Sequence, residues 1–140
     1  MASETDPSRQ PDPEADEYIQ GLLRRAAGIR LPEFFQTRHP DALYHLSNRG
    51  GVSVVALRTT ALTEDQLVSI LTYRLAQYVA INFVDPSVVY QRRLTHEPLT
   101  STSPSEIHII AGSADTGEIL CYLAVKGAIT AAPDLTLRTR

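Results

Sequence analysis

Residues 63–84 read TEDQLVSILTYRLAQYVAINFV, and this stretch decides the fold. Leu67, Ile70, Leu71, Leu75, Tyr78, Val79 and Phe83 recur in steps of three and four, which gathers them on one face of an α-helix. Thr63 is placed to cap the first turn, and Gln66, three residues on, to close a capping box with it. Glu64 and Asp65 set negative charge at the positive end of the helix dipole. Asp85-Pro86 ends the pattern, because proline disfavours a helical residue before it and has no N–H to donate. The spacing predicts a helix over 63–84, with Ser69, Thr72, Gln77 and Asn82 on the outer face and Arg74 near the boundary. An apolar stripe of this width needs a surface to lie on, and the apolar runs on either side supply one.

Upstream, Val52 to Thr60 is a β-branched run that reads as a strand. It follows a break at Ser47 to Gly51. Gly50-Gly51 precedes a strand, whereas a phosphate-binding loop follows a strand and opens a helix, so the pair reads as a turn. Downstream, Ile107 to Ala111 and Ile119 to Val125 are strand-like runs around the turn-rich Gly112 to Gly117, which together predict an antiparallel hairpin. Asp115-Thr116-Gly117 is no nucleotide motif, since no Gly-Lys-Ser/Thr follows it. Val88 to Leu94 stays open between a second short helix and an extended arm. Thr95 to Ser105 reads as a loop.

Nearer the start, Tyr18 to Ala27 predicts a short helix with Tyr18, Ile19, Leu22, Leu23 and Ala26 as its stripe and Gly28 as its stop. Leu31 to Phe35 opens another, with Pro32 in the first turn. Residues 1–17 hold three prolines, six acids and one arginine, and read as a disordered acidic leader. Residues 128–140, in which Leu135 and Leu137 alternate with polar neighbours, read as a C-terminal extension or the start of a further segment. The expectation is an α+β domain over 18–127: an antiparallel or mixed sheet of at least three strands with one long helix packed on a face.

Composition narrows the function classes. A formal charge of −3 gives no electrostatic basis for nucleic-acid binding. Twelve of the thirteen basic residues are arginine, a bias of the kind that GC-rich bacterial genomes produce. Cys121 stands alone, so no internal disulfide forms, which fits a reducing cytoplasm. No apolar run approaches the roughly 20 residues of a membrane helix, and the N-terminus lacks the basic-then-apolar pattern of a secretion signal. The protein is therefore expected to be cytoplasmic and free of the membrane.

Few residues carry legible chemistry. His39 and His45 have no third or fourth ligand at a sensible spacing, so no metal site is expected. Arg24, Arg25 and Arg30 crowd a helix end, where cations suit the dipole, and read as a solvated cluster. His96-Glu97 invites an acid/base role. Cys121, inside a strand, is expected to be a buried, inert thiol, and His108 a structural strand residue. The candidate site residues are Tyr73, Arg74, His96 and Tyr122.

The order strand, long helix, shorter piece, loop and hairpin over Val52 to Lys126 resembles the opening half of the GNAT acyltransferase superfamily. More narrowly it is similar to the branch of N-acyl amino acid synthases and acyl-homoserine-lactone synthases. The resemblance lies in Leu71-Thr72-Tyr73-Arg74-Leu75-Ala76-Gln77-Tyr78-Val79, and in Glu106 to Ala111 followed by Thr116-Gly117-Glu118-Ile119-Leu120-Cys121-Tyr122. It implies a GNAT-like half fold that moves an acyl group from a thioester, on coenzyme A or an acyl carrier protein, to an amine. The family's Gln/Arg-x-x-Gly-x-Gly/Ala turn, whose N–H groups hold the coenzyme A pyrophosphate at a helix N-terminus, is not in this sequence. No catalytic or cofactor residue therefore carries over, no cofactor is expected on this chain itself, and the resemblance implies a truncated gene product, a fragment or a relative that lost the donor site. The partner would be a missing C-terminal half or a second copy, joined through an exposed sheet edge. The alternative function is a non-catalytic interaction or dimerisation module.

Overall fold

The computed structural model describes residues 12–126. The reading of 128–140 and most of the leader lie outside the described residues. The organising helix, α3, spans Glu64–Ala80. Its capping box forms as expected: Gln66 N donates to Thr63 Oγ1 at 3.1 Å, and Thr63 N to Gln66 Oε1 at 2.9 Å. Its end differs from the expected Val84. Asn82 takes φ +61°, Phe83 N donates to Tyr78 O at 2.8 Å, and Asn82 N to Val79 O at 3.0 Å. These two bonds close a left-handed cap that stops the helix four residues early. Asp85-Pro86 instead starts the next helix, α4 (Pro86–Gln91), with the Asp85 carboxylate accepting from Ser87 N at 2.9 Å. Phe83 thereby leaves the buried stripe and stands 74% exposed.

The first helix, α1, spans Pro13–Ala27 and so starts before the expected Tyr18. Asp12 explains the difference: its carboxylate accepts from Glu14 N and Ala15 N, and Pro13 occupies the first turn. Tyr90 Oη, from α4, reaches back to Glu14 Oε1 at 3.1 Å. Leu22 and Ala26 of α1, Leu75, Ala76 and Val79 of α3, and Val89 of α4 form one core cluster.

The sheet has four strands in the order β1 (Tyr44–Arg49), β2 (Val52–Arg58), β3 (Ile107–Ser113) and β4 (Ile119–Val125), every pair antiparallel. This replaces the antiparallel-or-mixed alternative. β1 was not expected; its Ser47-Asn48-Arg49 tail masks the alternation. The turn at Gly50-Gly51 is as read, with φ +64° and +87°. α3 and α4 form the connection between β2 and β3, which settles Val88 to Leu94 as mainly helical. The 95–105 loop carries a single 3-10 turn at Leu99–Ser101.

One sheet face carries the second core. Val55, Leu57 and Ile110 meet Ile70 of α3, and Phe34 and Phe35 of the short helix α2 (Pro32–Phe35). α2 lies so close that a Cβ on Gly112 would sit 2.1 Å from Phe35 Cε2, so only glycine fits there. The opposite face presents Tyr44, Leu46, Val52, Val54, Ile107, Ile109, Leu123 and Val125, none of which joins either core cluster. Cys121 shares that face. It is exposed, which corrects the expectation of a buried thiol. Among the described residues nothing covers this face, and a strand at a sheet edge then hides only alternate residues. No helix among the described residues is long and apolar enough to cross a membrane.

Candidate functional site

Arg74 lies at the centre of a polar network between α3 and the sheet. The sequence places it near the boundary between the apolar and polar faces of α3, and only 6% of it is exposed. Its Nη2 sits 2.9 Å from Glu97 Oε1, and its Nη1 lies 3.4 Å from both Glu106 Oε2 and Tyr122 Oη. Glu106 is fully buried just before β3, and its other oxygen accepts from Lys126 Nζ at 3.2 Å and Ser103 N at 3.3 Å. Burial opposes ionisation of Glu106, but hydrogen bonds from Thr102 and Lys126 and the Lys126 charge outweigh it, holding the carboxyl below its ordinary range. Two cations thus face two carboxylates.

A second arm runs from Tyr122 into the sheet. Tyr122 Oη is 2.6 Å from His108 Nδ1, and His108 Nε2 is 2.8 Å from Thr59 Oγ1. Thr102 Oγ1 closes the end, 3.0 Å from Thr59 Oγ1. Burial pushes His108 down to about 4 and Tyr122 up to about 12, so both are neutral near pH 7. Arg74 can only donate. The consistent chain has Arg74 donating to Tyr122, Tyr122 to Nδ1 of His108, and Nε2–H of His108 to Thr59.

Beside this network, α3 and β4 bound a cleft of ≈500 Å³ lined by Tyr73, Arg74, Gln77, Tyr78, Leu120, Cys121, Tyr122, Leu123, Ala124 and Lys126. Both faces of β4 contribute, so the cleft wraps the edge of that strand that no described strand pairs. Tyr73 packs edge-on against Tyr122 with ring centroids 6.4 Å apart. Burial raises the Tyr73 phenol above its ordinary value, so it enters the cleft as a neutral donor. The network holds the wall in place because its charges are matched internally. The groups that face the cleft beside the network are phenols, the Gln77 amide and the Cys121 thiol, with the Lys126 ammonium, paired to Glu106 yet 62% exposed, at the mouth.

Three of the four sequence candidates, Tyr73, Arg74 and Tyr122, meet in this wall. His96 does not line the cleft; its Nδ1 lies 2.6 Å from the Glu97 carbonyl oxygen. It is Glu97 that joins Arg74, as an ion-pair partner rather than as one half of an acid/base pair. Sequence reasoning missed Glu106 and Lys126 and gave His108 only a structural part. The signal was present in the period of two: Glu106, His108 and Ile110 all point to the buried face, so two polar residues stand where apolar ones belong. Among the described residues no group of three or more His, Cys, Asp or Glu could hold a metal ion. In comparisons with family models, curated proteins and solved structures, the chain matched none.

Proposed function

We propose that this chain is an N-acyltransferase-type domain and that the cleft between α3 and β4 receives an acyl thioester. The observation that carries the reading is the succession β2, α3, α4, β3, β4 within one antiparallel sheet. It is the order that the resemblance calls for. The cleft adds support: it combines a strand edge that no described strand pairs, able to hydrogen-bond the amides of an extended thioester arm, with Leu120, Leu123 and Ala124 for an acyl chain. In the reaction the amine nitrogen attacks the thioester carbonyl, the C–S bond breaks, the thiolate takes the proton that the nitrogen loses, and an amide remains. Donor, acceptor and pathway are parts of the proposal that assays must name.

The sequence supplies no pyrophosphate-holding turn, so affinity resides in the acyl-pantetheine arm. Calorimetry is expected to show S-acyl pantetheine binding within about threefold of acyl-coenzyme A, since the nucleotide adds no recognised charge contact. Tyr73→Phe is expected to weaken both alike. No heat with either donor, and no thiol release with an amine present, would remove the reading.

A second reading, a non-catalytic self-association module, is favoured by a specific observation. One sheet face and the β4 edge expose Tyr44, Leu120, Leu123 and Val125. Exposed apolar sheet surface of this kind marks interaction sites. Light scattering over a dilution series tests it, and a monomer at every concentration contradicts it.

A further inference from the structure

We infer that two copies of this chain join through β4, strand against strand, about a two-fold axis near Tyr122. The inference rests on the self-association reading and names its surface. Arg30 bridges Glu118 at the start of the strand, and β3 takes one side throughout. No described element pairs with the other side of Leu120–Lys126. Natural edge strands are guarded by inward charges, proline or covering loops. From Ile119 to Val125 this one has no charge and no proline.

The strand's ends identify the occupant. Glu118 precedes β4 and Lys126 follows it. An antiparallel pairing centred on Tyr122 sets Leu120 opposite the second copy's Ala124 and Cys121 opposite its Leu123. It also carries each Lys126 towards the Glu118 end of the other strand, beyond the Leu120–Ala124 ladder, because Arg30 already holds the backbone position opposite Glu118. One acid and one base at opposite ends of an uncharged strand are matched twice by a two-fold, which is the signature of an isologous contact. Lys126 Nζ donates to Glu106 Oε1 and to Ser101 O, at 3.5 Å, and keeps a third donor. The surface continues past the strand. Phe83 leans on Tyr78 with centroids 5.1 Å apart, and Tyr78 lines the cleft beside β4. A second strand laid along the edge lies beside this aromatic pair.

The single cysteine makes the test direct. In this pairing the two Cys121 residues are diagonal neighbours, about 8 Å apart. A nitroxide on Cys121 is expected to show strong dipolar broadening in its continuous-wave spectrum. Dilution with excess unlabelled protein should abolish it. Leu123→Lys, at a position 58% exposed, should weaken the dimer at least tenfold while the far-ultraviolet circular dichroism of the folded chain stays unchanged, the thermal midpoint falling only by what dimerisation contributed. Should that variant fail to fold, the dilution experiment on the native sequence still decides. A monomer by light scattering, including one in which the chain's own residues 127–140 occupy the edge, overturns both the inference and the self-association reading. A dimer without spin coupling overturns the inference alone and moves the interface elsewhere.

Discussion

Arg74 is the residue on which the interior of the site turns. It balances Glu106, which has no exposure, and Glu97, nearly as buried. Removing one partner of a buried pair leaves an uncompensated charge, typically about 3–5 kcal/mol. Arg74→Met is therefore expected to lose most of that in urea unfolding at pH 7. Arg74→Met with Glu106→Gln should lose less than the sum of the two single changes, because the stranded charge is gone. His108 gives the complementary pH signature. Its folded value, about 4, lies below the unfolded 6.5, so between those values the unfolded chain binds more protons and stability rises with pH. Stability is complete above about 6.5 and is lost as pH falls towards 4, by roughly 3 kcal/mol from this group. Glu106, also lowered, acts in the same direction at the acid end. His108→Gln is expected to flatten the difference between urea midpoints at pH 7 and pH 5; an unchanged slope would show that His108 is not the titrating group.

At the level of elements, local devices were legible and their endings were not. The capping box of Thr63 and Gln66 could be read directly, and Thr63→Ala should cost about 1 kcal/mol through the orphaned N–H groups. The end of α3 was misplaced because proline is a louder signal than asparagine. Asp85-Pro86 is as good a helix start as a stop, and the Asn82 cap becomes visible only once its bonds to Tyr78 and Val79 are seen. The same ambiguity of sign displaced the start of α1, where Pro13 reads as a breaker until Asp12 is seen to cap it. Gly112 shows a different blindness: nothing local reveals that Phe35, far away in sequence, presses on that backbone. Gly112→Ala is expected to destabilise by about 1–3 kcal/mol, the usual range for overpacking. Combined with Phe35→Leu the loss should shrink, and a full additive loss would mean that the contact is not the cause.

For the molecule as a whole, the hairpin β3–β4, the strand β2 and the helix between them followed from periodicity, and so did the α+β class. Strand order and the exposure of each face did not, because they depend on pairings between distant segments. Cys121 illustrates this: alternation told which neighbours share its face, not that no described element covers that face. The site was half legible for the same reason. Tyr73, Arg74 and Tyr122 could be picked out as polar groups on regular elements, but the cleft arises only where α3 meets the outer edge of β4, at the end of the described sheet. That meeting place is the centre of the proposed function. Titrating the isotope-labelled protein with S-acyl pantetheine and following backbone amide shifts tests it most directly. Saturable shifts are expected at Tyr73, Gln77 and 120–124, with the β1–β2 turn at Gly50-Gly51 unmoved. Shifts absent throughout, or centred away from α3 and β4, would contradict it.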